Sequence, residues 1–368
     1  MAFTAQDVKA LREKTGVGMM ECKKALVESD GDMDKAIEYL RERGLAAATK
    51  KAGRVAAEGV VLAYTDEAKK IGVLVEVNSE TDFVGKNEKF QAFVLDVAKT
   101  IAEKNPADVE DLLNVNLLGT DRTVQENLQD LILSIGENMK IRRFARVEGL
   151  TSSYIHGGGS VGVLVELDTD EATFAKEECK AMGKNVAMQI AAMSPEYLAQ
   201  ADISADELEK MKNIIVESSL NKPDSLPKPI LMKVFAEACD NKLISDADIA
   251  AYEEQKNNKF LFNFISDEAK EKLAQIAVSH KDEFVADKIF AGAVDGRFKK
   301  QLKEVCLLEQ AFVRTDLFEG SVGGYVADVA KKLGADIKIK NFICYVKGEG
   351  IEKKEENFAD EIAKMVKG

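Results

Sequence analysis

The chain has 368 residues, of which 46% are hydrophobic and 31% charged, and its formal net charge is -13. This composition is typical of a globular protein of two or three domains, and the acidic charge argues against broad contact with nucleic acid, which needs a basic face. Because the sequence contains no run of about 18 apolar residues, and because its N-terminus lacks the basic-then-apolar order of an export signal, we expect a cytoplasmic protein outside the membrane.

The first fifty residues predict three short helices. Thr4 and Asp7 form the pattern of a capping box, and Gly16 is suited to end the first helix. Asp32 is suited to begin the third helix and Gly44 to end it. We therefore expect a small helical module that occupies residues 1–56 together with its linker.

Two adjacent methionines stand out in this module. Met19 and Met20 point in different directions from their helix, so at least one is expected at the surface, where a flexible methionine suits protein contacts. The alternative, that both fill gaps in a small core, stays open. The residues expected to form that core are Val8, Leu11, Ala25, Leu26, Ala36, Ile37 and Leu40.

Beyond residue 57 the sequence repeats itself. The hairpin pattern "GVVLAYTDEAKKIGVLVEV" recurs as "SSYIHGGGSVGVLVEL", and each copy is followed by an apolar helix that ends near proline. The segment that begins "TVQENLQDLILSIGENMK" aligns without gaps to the one that begins "SVGGYVADVAKKLGADIK", with Gly136 and Gly334 at the same place. The predicted fold class is therefore α+β, with two duplicated subdomains of three antiparallel strands at residues 57–149 and at residues 150–200 plus 301–347.

The second copy is interrupted by a helical region. Amphipathic segments predict an inserted helical arm at residues 201–300, extended and similar to a coiled coil. The stretch "NKPDSLPKP" predicts a turn or hinge within it. After the second copy, a charged link and an amphipathic segment predict a C-terminal helical module at residues 348–368.

The sequence offers little for catalysis. Gly157 to Gly162 satisfies the pattern G-x-G-x-x-G, but a strand rather than a helix follows it, so a hairpin turn is the better interpretation. His156 and His280 have no partners at the spacing of metal ligands, and the five cysteines form no CxxC pair and fit reduced thiols. We therefore expect a binding protein, not an enzyme, without a metal or cofactor.

Several motifs in one order identify a family. "TGVGMMECKKAL", "VNSETDFV", "IGENMKIRRFARVEG" and "YIHGGGSVGVLVE" closely resemble the bacterial elongation factor Ts family, over the first two hundred residues and again from about residue 289. The resemblance implies a guanine-nucleotide exchange factor for elongation factor Tu, and it implies that the helical module at residues 1–56 is UBA-like. It implies that Asp82 and Phe83 press against the magnesium and phosphate site of that GTPase.

The resemblance also implies further partner contacts. Arg12, Met19 and Met20 would grip a helix of the nucleotide-binding domain, and Ile135 and His156 would touch the GTPase near its phosphate side. From spacing alone Ile135 also fits a core position, His156 a turn, and Phe83 a ring folded onto its own sheet.

One region departs from the family pattern. The family usually has a shorter helical hairpin where this chain runs from about Asn221 to Asp287, so the role of the extra helices stays open, as does a homodimer. The alternative function is a scaffold or RNA-associated translation protein that docks through the helical module and "TKKAGR" without exchange activity.

Overall fold

The structure, a computed structural model, describes residues 3–352. The α-helices assigned there are, in chain order, α1 (Ala5–Thr15), α2 (Met19–Glu28), α3 (Met33–Lys51), α4 (Asp82–Gly85), α5 (Glu88–Lys104), α6 (Val109–Asn114), α7 (Val124–Ile135), α8 (Glu171–Phe174), α9 (Glu177–Met193), α10 (Ala205–Leu220), α11 (Lys228–Asp240), α12 (Asp246–Gln255), α13 (Asp267–Ser279), α14 (Lys281–Ala286), α15 (Lys288–Val305) and α16 (Val322–Leu333). The strands are β1 (Glu58–Asp66), β2 (Ile71–Ser79), β3 (Met139–Glu148), β4 (Leu150–His156), β5 (Val161–Asp168) and β6 (Lys338–Val346). In this part of the chain no helix has both the length and the apolar character needed to cross a membrane.

The chain divides into two compact units. Among the described residues, one unit consists of residues 3–194, 312–319 and 324–352, and the other of residues 195–311 and 320–323. The first unit contains the helical module and both β-sheets, whereas the second is helical.

The N-terminal module begins and ends its helices largely as its sequence predicts. Thr4 and Asp7 form the capping box of α1, and Gly16 ends that helix in the left-handed conformation. Asp32 accepts hydrogen bonds from two backbone N–H groups at the start of α3. The core of the N-terminal module contains all the residues predicted for it, although Ile37 is only partly buried. Val17 and Cys22 also belong to this core.

The prediction that Gly44 ends the third helix is wrong. Helix α3 continues to Lys51, and Gly44 is buried where α3 packs along α7. A Cβ atom at Gly44 would lie 3.4 Å from the carbonyl oxygen of Gln129. Gly44 therefore allows close packing of two helices and does not end a helix. Only the tertiary contact shows this role.

The two predicted three-stranded sheets are present, and the α+β fold class is confirmed. Their strand orders are β1-β2-β3 and β4-β5-β6, with every pair antiparallel. Each middle strand carries a bulge at the matching place, after Glu76 in β2 and after Glu166 in β5. Helices α5 and α7 share a core with the first sheet, and Val61, Leu74 and Leu164 form a cluster between the two sheets.

The predicted helix ends in the two copies are also confirmed. Helix α5 ends at Asn105 and α9 at Ser194, each in the left-handed conformation and each followed by proline. Gly136 and Gly334 likewise have positive φ angles, and each follows the last residue of a helix that precedes a strand. These ends depend on local sequence, which explains why they are predictable.

The second unit has a core of its own. Helices α10, α11, α13 and α15 pack against one another, and Phe235 stacks on Tyr252 at a ring-centroid distance of 4.0 Å. The stretch "NKPDSLPKP" forms the turn between α10 and α11. At the base of the unit the entering and leaving segments pair, because the N–H groups of Glu196 and Tyr197 both donate to the carbonyl of Val305.

Residues 347–350 form a turn after β6. Most of the predicted C-terminal helical module, from residue 353 onward, lies outside the described residues.

Candidate partner-binding surface

The three residues proposed for the helical module all lie exposed. Arg12 is in the last turn of α1, and Met19 and Met20 are the first two residues of α2. Met19 is 46% exposed and Met20 is 75% exposed, so both methionines reach the surface rather than filling the small core. The core positions of α2 follow them and are Cys22, Ala25 and Leu26.

The helical module is fixed to the first sheet's helices at the end of α1. The carbonyl oxygen of Gly16 accepts a hydrogen bond from Lys89 Nζ at 2.9 Å and another from Ser134 Oγ at 3.0 Å. Lys89 is in α5 and Ser134 is in α7, so two helices hold one carbonyl. The exposed methionines therefore have a defined position relative to the sheet.

Phe83 lies on the short helix α4, directly after β2. Its side chain is 78% exposed, whereas the next residue, Val84, is buried in the core below the sheet. Gly85 lies against β1, since a Cβ atom there would be 2.9 Å from the carbonyl oxygen of Gly59. The inner side of α4 thus rests on the strand, and this contact leaves the Phe83 ring pointing into solvent.

The neighbours of Phe83 on α4 are charged. Asp82 pairs with Lys86 at 3.0 Å, and the Lys86 ammonium lies 5.9 Å from the centre of the Phe83 ring. Both charged side chains are mostly exposed, so the ion pair contributes little to stability. It places one negative and one positive group beside the exposed ring.

A carboxylate fixes the residue that precedes α4. The backbone N–H of Thr81 donates to Glu137 Oε2 at 2.9 Å, and the Thr81 hydroxyl donates to Glu137 Oε1 at 2.7 Å. The Thr81 carbonyl in turn accepts a hydrogen bond from Ser79 Oγ at 2.9 Å. Glu137 follows the end of α7, so the loop that carries Phe83 is tied to the turn that follows Ile135.

A second set of contacts secures the same loop. The Glu80 carboxylate accepts a hydrogen bond from the N–H of Asn138 and lies 3.5 Å from the guanidinium of Arg54. The Asn138 side chain donates to the Arg54 carbonyl at 2.8 Å. The loop before α4, the turn after α7 and the linker after α3 therefore meet in one polar cluster.

Ile135 and His156 occupy different environments. Ile135 is the last residue of α7 and is half-buried against the core of the first sheet. His156 ends β4 and is exposed, with its Nδ1 atom 3.1 Å from the Tyr154 hydroxyl. His156 is thus exposed to solvent, and the side chain of Ile135 is partly exposed.

The glycine-rich motif forms the hairpin turn that its sequence predicts. Gly157, Gly158 and Gly159 all have positive φ angles and connect β4 directly to β5. The carbonyl of Gly159 accepts a hydrogen bond from the N–H of Val61 at 2.9 Å, which holds the turn against β1. The two sheets are joined there, beside His156.

A groove of about 520 Å³ lies between this turn and α5. Gln91, at its edge, also donates to the Gly85 carbonyl at 3.1 Å, so the groove begins next to α4. Its lining is largely apolar and includes Val60, Leu62, Ala92, Leu95 and Ile155. Sequence patterns give no signal for the groove, because each of these residues is an ordinary apolar position of its own strand or helix.

A buried carboxylate connects β3 with the turn after β6. Glu76 in β2 is fully buried and lies 3.0 Å from Arg142 and 2.7 Å from Arg143. Its Oε1 atom also accepts hydrogen bonds from Asn78 at 3.0 Å and from the N–H of Gly348 at 2.8 Å. Sequence reasoning missed this network, although a lone glutamate in an apolar strand and the Arg142–Arg143 pair were signals for it.

Hydrogen bonding decides the charge state of Glu76. Burial by itself raises the pKa of a carboxyl group. The Glu76 carboxylate accepts hydrogen bonds from Gly348, Asn78, Arg143 and Arg142. Together they outweigh the effect of burial, and the pKa of Glu76 is lowered overall. The carboxylate is therefore ionised at neutral pH and attracts both arginines.

Three of the five cysteines, Cys22, Cys179 and Cys306, are buried. Burial raises the pKa of Cys22 and Cys179, and it raises the pKa of Cys306 to about 11. These thiols are poor nucleophiles at neutral pH. Among residues 3–352 no group of three or more His, Cys, Asp or Glu side chains is placed to hold a metal ion.

The structure brings most of the proposed contact residues into one connected region. Phe83 and Ile135 are linked through Thr81 and Glu137, and the helical module is held by α5 and α7. The His156 turn lies across the groove from α5. We treat this region as the candidate partner-binding surface.

Comparison with known proteins identifies a family. The family model described as "Elongation factor TS" matches residues 80–349. The chain is 43% identical to elongation factor Ts of Clostridium perfringens over 366 residues, which cover 99% of both chains. It is 41% identical to elongation factor Ts of Clostridium kluyveri over an alignment of 371 positions, which covers 100% of this chain and 99% of the relative. A third relative, elongation factor Ts of Clostridioides difficile, is 40% identical over 367 residues, which again cover 99% of both chains.

Proposed function

Because the chain belongs to the elongation factor Ts family, we propose that it is a guanine-nucleotide exchange factor for elongation factor Tu in translation elongation. It binds the GDP-bound GTPase, disturbs the site that holds magnesium and the phosphates, and lets GDP leave so that GTP can enter. The chain makes and breaks no covalent bond in this process and needs no cofactor of its own. Its place of action is the cytoplasm.

The observation that carries this proposal is the exposed ring of Phe83 on an ordered helix. Protein interiors are close-packed, so an aromatic side chain that enters between two helices of a partner must displace side chains there. Magnesium demands nearly ideal octahedral geometry. A small shift of the elements that hold the metal therefore weakens the binding of both magnesium and GDP.

Thermodynamic linkage turns this distortion into exchange. A factor that binds the empty GTPase more tightly than the GDP-bound form must lower the affinity for GDP by the same factor. The same complex then releases the exchange factor when GTP and magnesium restore the nucleotide site. Contacts with the partner lower the barrier to GDP release, and the relative concentrations and affinities of GTP and GDP set the direction of exchange.

The remaining residues provide the contact area. Arg12, Met19 and Met20 present a charged and adaptable surface to a helix of the GTPase. Asp82 acts beside Phe83, and Ile135 and His156 contact the partner near its phosphate side. The apolar groove between α5 and the His156 turn extends this surface and takes up a partner side chain.

The direct test measures GDP release. Elongation factor Tu loaded with a fluorescent GDP is mixed with an excess of unlabelled GDP, with and without this protein, and the fluorescence decay is timed by stopped flow. We expect faster release that saturates with protein concentration. Unchanged release would reject the exchange function, and retention of labelled tRNA in a filter-binding test would then favour a docking protein of translation.

A further inference from the structure

We propose that Glu137 is a positioning residue that holds Phe83 in the orientation in which it enters the partner, an inference that rests on the exchange function proposed above. Glu137 accepts one hydrogen bond on each carboxylate oxygen, from the N–H and from the hydroxyl of Thr81, at 2.9 and 2.7 Å. Two bonds to one residue fix its rotation as well as its place. Thr81 is two residues before Phe83, so this fixes the start of α4.

The internal repeat shows that the fold does not require this contact. In the second copy, α8 takes the place of α4 and is capped by its own Asp170, whose carboxylate accepts from the N–H and hydroxyl of Thr173 at 2.9 and 2.6 Å. The residue that follows Gly334 there, at the position of Glu137, is Ala335. The second copy orders its short helix locally and has no carboxylate at the position of Glu137, and the next residue, Asp336, pairs with Lys338 at 3.1 Å.

The first copy uses a different arrangement at the same place. The residue before α4, Thr81, makes no side-chain capping bond within its own helix, because its hydroxyl is directed to Glu137 instead. A helix of four residues has little stability of its own, so a missing cap must be replaced by a tertiary contact. The copy that exposes an aromatic ring is therefore the copy whose short helix is tied to a distant turn.

Rigidity at this place has a functional consequence. A side chain that is already ordered loses less conformational entropy when it binds. A displacement of about 1 Å in a group that acts on the reaction is enough to reduce a rate strongly. The Glu137 tether therefore supports the step in which the ring distorts the partner. Overall binding depends on the much larger surface and is affected less.

The test separates these two steps. GDP exchange on elongation factor Tu is measured at varied concentrations of the wild type, Glu137→Ala, Thr81→Val and Thr81→Ser. We expect kcat for exchange to fall roughly tenfold in Glu137→Ala and Thr81→Val, with KM changed by less than about threefold, as for a misplaced group. Thr81→Ser keeps the hydroxyl and should restore most of kcat. An unchanged kcat in Glu137→Ala would overturn the positioning role.

A double substitution distinguishes positioning of Phe83 from a general structural role. In a Phe83→Ala background, Glu137→Ala should cause no further loss, because the ring it positions is gone. An equal loss in both backgrounds would overturn the proposal. Asp170→Ala, which removes the corresponding contact in the second copy, serves as the control and should lower Tm without slowing exchange. If the wild type does not accelerate GDP release, the proposed exchange function is wrong. If the wild type accelerates release and Glu137→Ala does so equally well, only the positioning role of Glu137 is wrong.

Discussion

Phe83 and Ala172 occupy the same position in the two copies of the duplicated subdomain, and both are exposed. Each is the second residue of a four-residue helix that follows the middle strand of its sheet, and in each helix the next two residues are buried. The fold therefore accepts alanine at this place. The ring of Phe83 contributes to something other than the stability of the subdomain.

The first prediction follows from this equivalence. Phe83→Ala should leave Tm within about 1 °C of the wild type, because an exposed side chain away from the core contributes little to stability. Stimulation of GDP release should fall by roughly tenfold or more, the size expected for a central interface residue. The measurement is stopped-flow release of fluorescent GDP together with thermal unfolding.

A matched control exists in the helical unit. Phe260 is 62% exposed, comparable to Phe83 at 78%, but it lies in the other unit and outside the proposed surface. Phe260→Ala should leave exchange unchanged. Equal losses in the two variants would show that exposed aromatic rings act nonspecifically, and this would remove Phe83 from the mechanism.

The second prediction concerns the groove. Leu95 is 36% exposed and lines it, so Leu95→Glu places a charge where we expect an apolar side chain of the partner. KM for exchange should rise about tenfold, which corresponds to about 1.4 kcal/mol of binding free energy. Ile214→Glu on α10 introduces the same charge at another exposed apolar position and should leave KM unchanged. A normal KM in Leu95→Glu would exclude the groove from the interface.

The third prediction concerns the buried Glu76 network. Glu76→Gln removes the charge that Arg142 and Arg143 share. Breaking a buried ion pair typically costs about 3–5 kcal/mol, and the partial exposure of both arginines favours the lower value, about 3 kcal/mol. The free energy of unfolding from urea titration measures this loss.

The corresponding position in the second sheet supplies the comparison. Glu166 pairs with Lys340 at 2.7 Å, and the lysine side chain is largely exposed. Glu166→Gln should therefore cost about 1 kcal/mol or less. Similar losses in the two variants would mean that the arginine pair adds nothing beyond a surface ion pair.

The fourth prediction is the pH dependence of stability. Because hydrogen bonds lower the pKa of folded Glu76 below that of the unfolded chain, the unfolded state binds more protons in acid. The contribution of Glu76 is fully present above the ordinary carboxyl pKa of about 4.3 and is lost as the pH falls through the lower folded value. Urea unfolding between neutral pH and pH about 3 should show this decrease. Glu76→Gln should show a smaller decrease, and an identical slope in both proteins would contradict the assignment.

The fifth prediction compares two glycines with positive φ angles. At Gly59 the φ angle is +108° and a Cβ atom would lie 2.1 Å from the carbonyl oxygen of Val77, whereas at Gly158 it is +64° and the space is open. Gly59→Ala should destabilise the protein by more than about 3 kcal/mol, because strain and a backbone clash add. Gly158→Ala should cost about 1 kcal/mol from the backbone conformation alone. Equal losses, measured by thermal unfolding, would show that the sheet relaxes around Gly59.

Local signals made much of this fold predictable. The capping box of Thr4 with Asp7 and the helix ends at Gly16, Gly136 and Gly334 involve residues within a few positions of each other, so the sequence contains both partners of each contact. The duplicated strands were visible because their apolar patterns repeat. Gly44 was mispredicted because its role depends on Gln129, which is far away in the sequence and adjacent only after α3 packs on α7.

By itself, the sequence determined the α+β class, the duplication and the family, because these depend on periodicity and on motifs that are contiguous in the chain. Tertiary structure alone decided that Phe83 is exposed, that Glu137 holds Thr81, that Glu76 meets two arginines and that a groove separates α5 from the His156 turn. Each of these depends on contacts between residues that are distant in sequence. Whether an apolar or charged side chain is buried, paired or free is settled only when the elements that carry its neighbours have packed together.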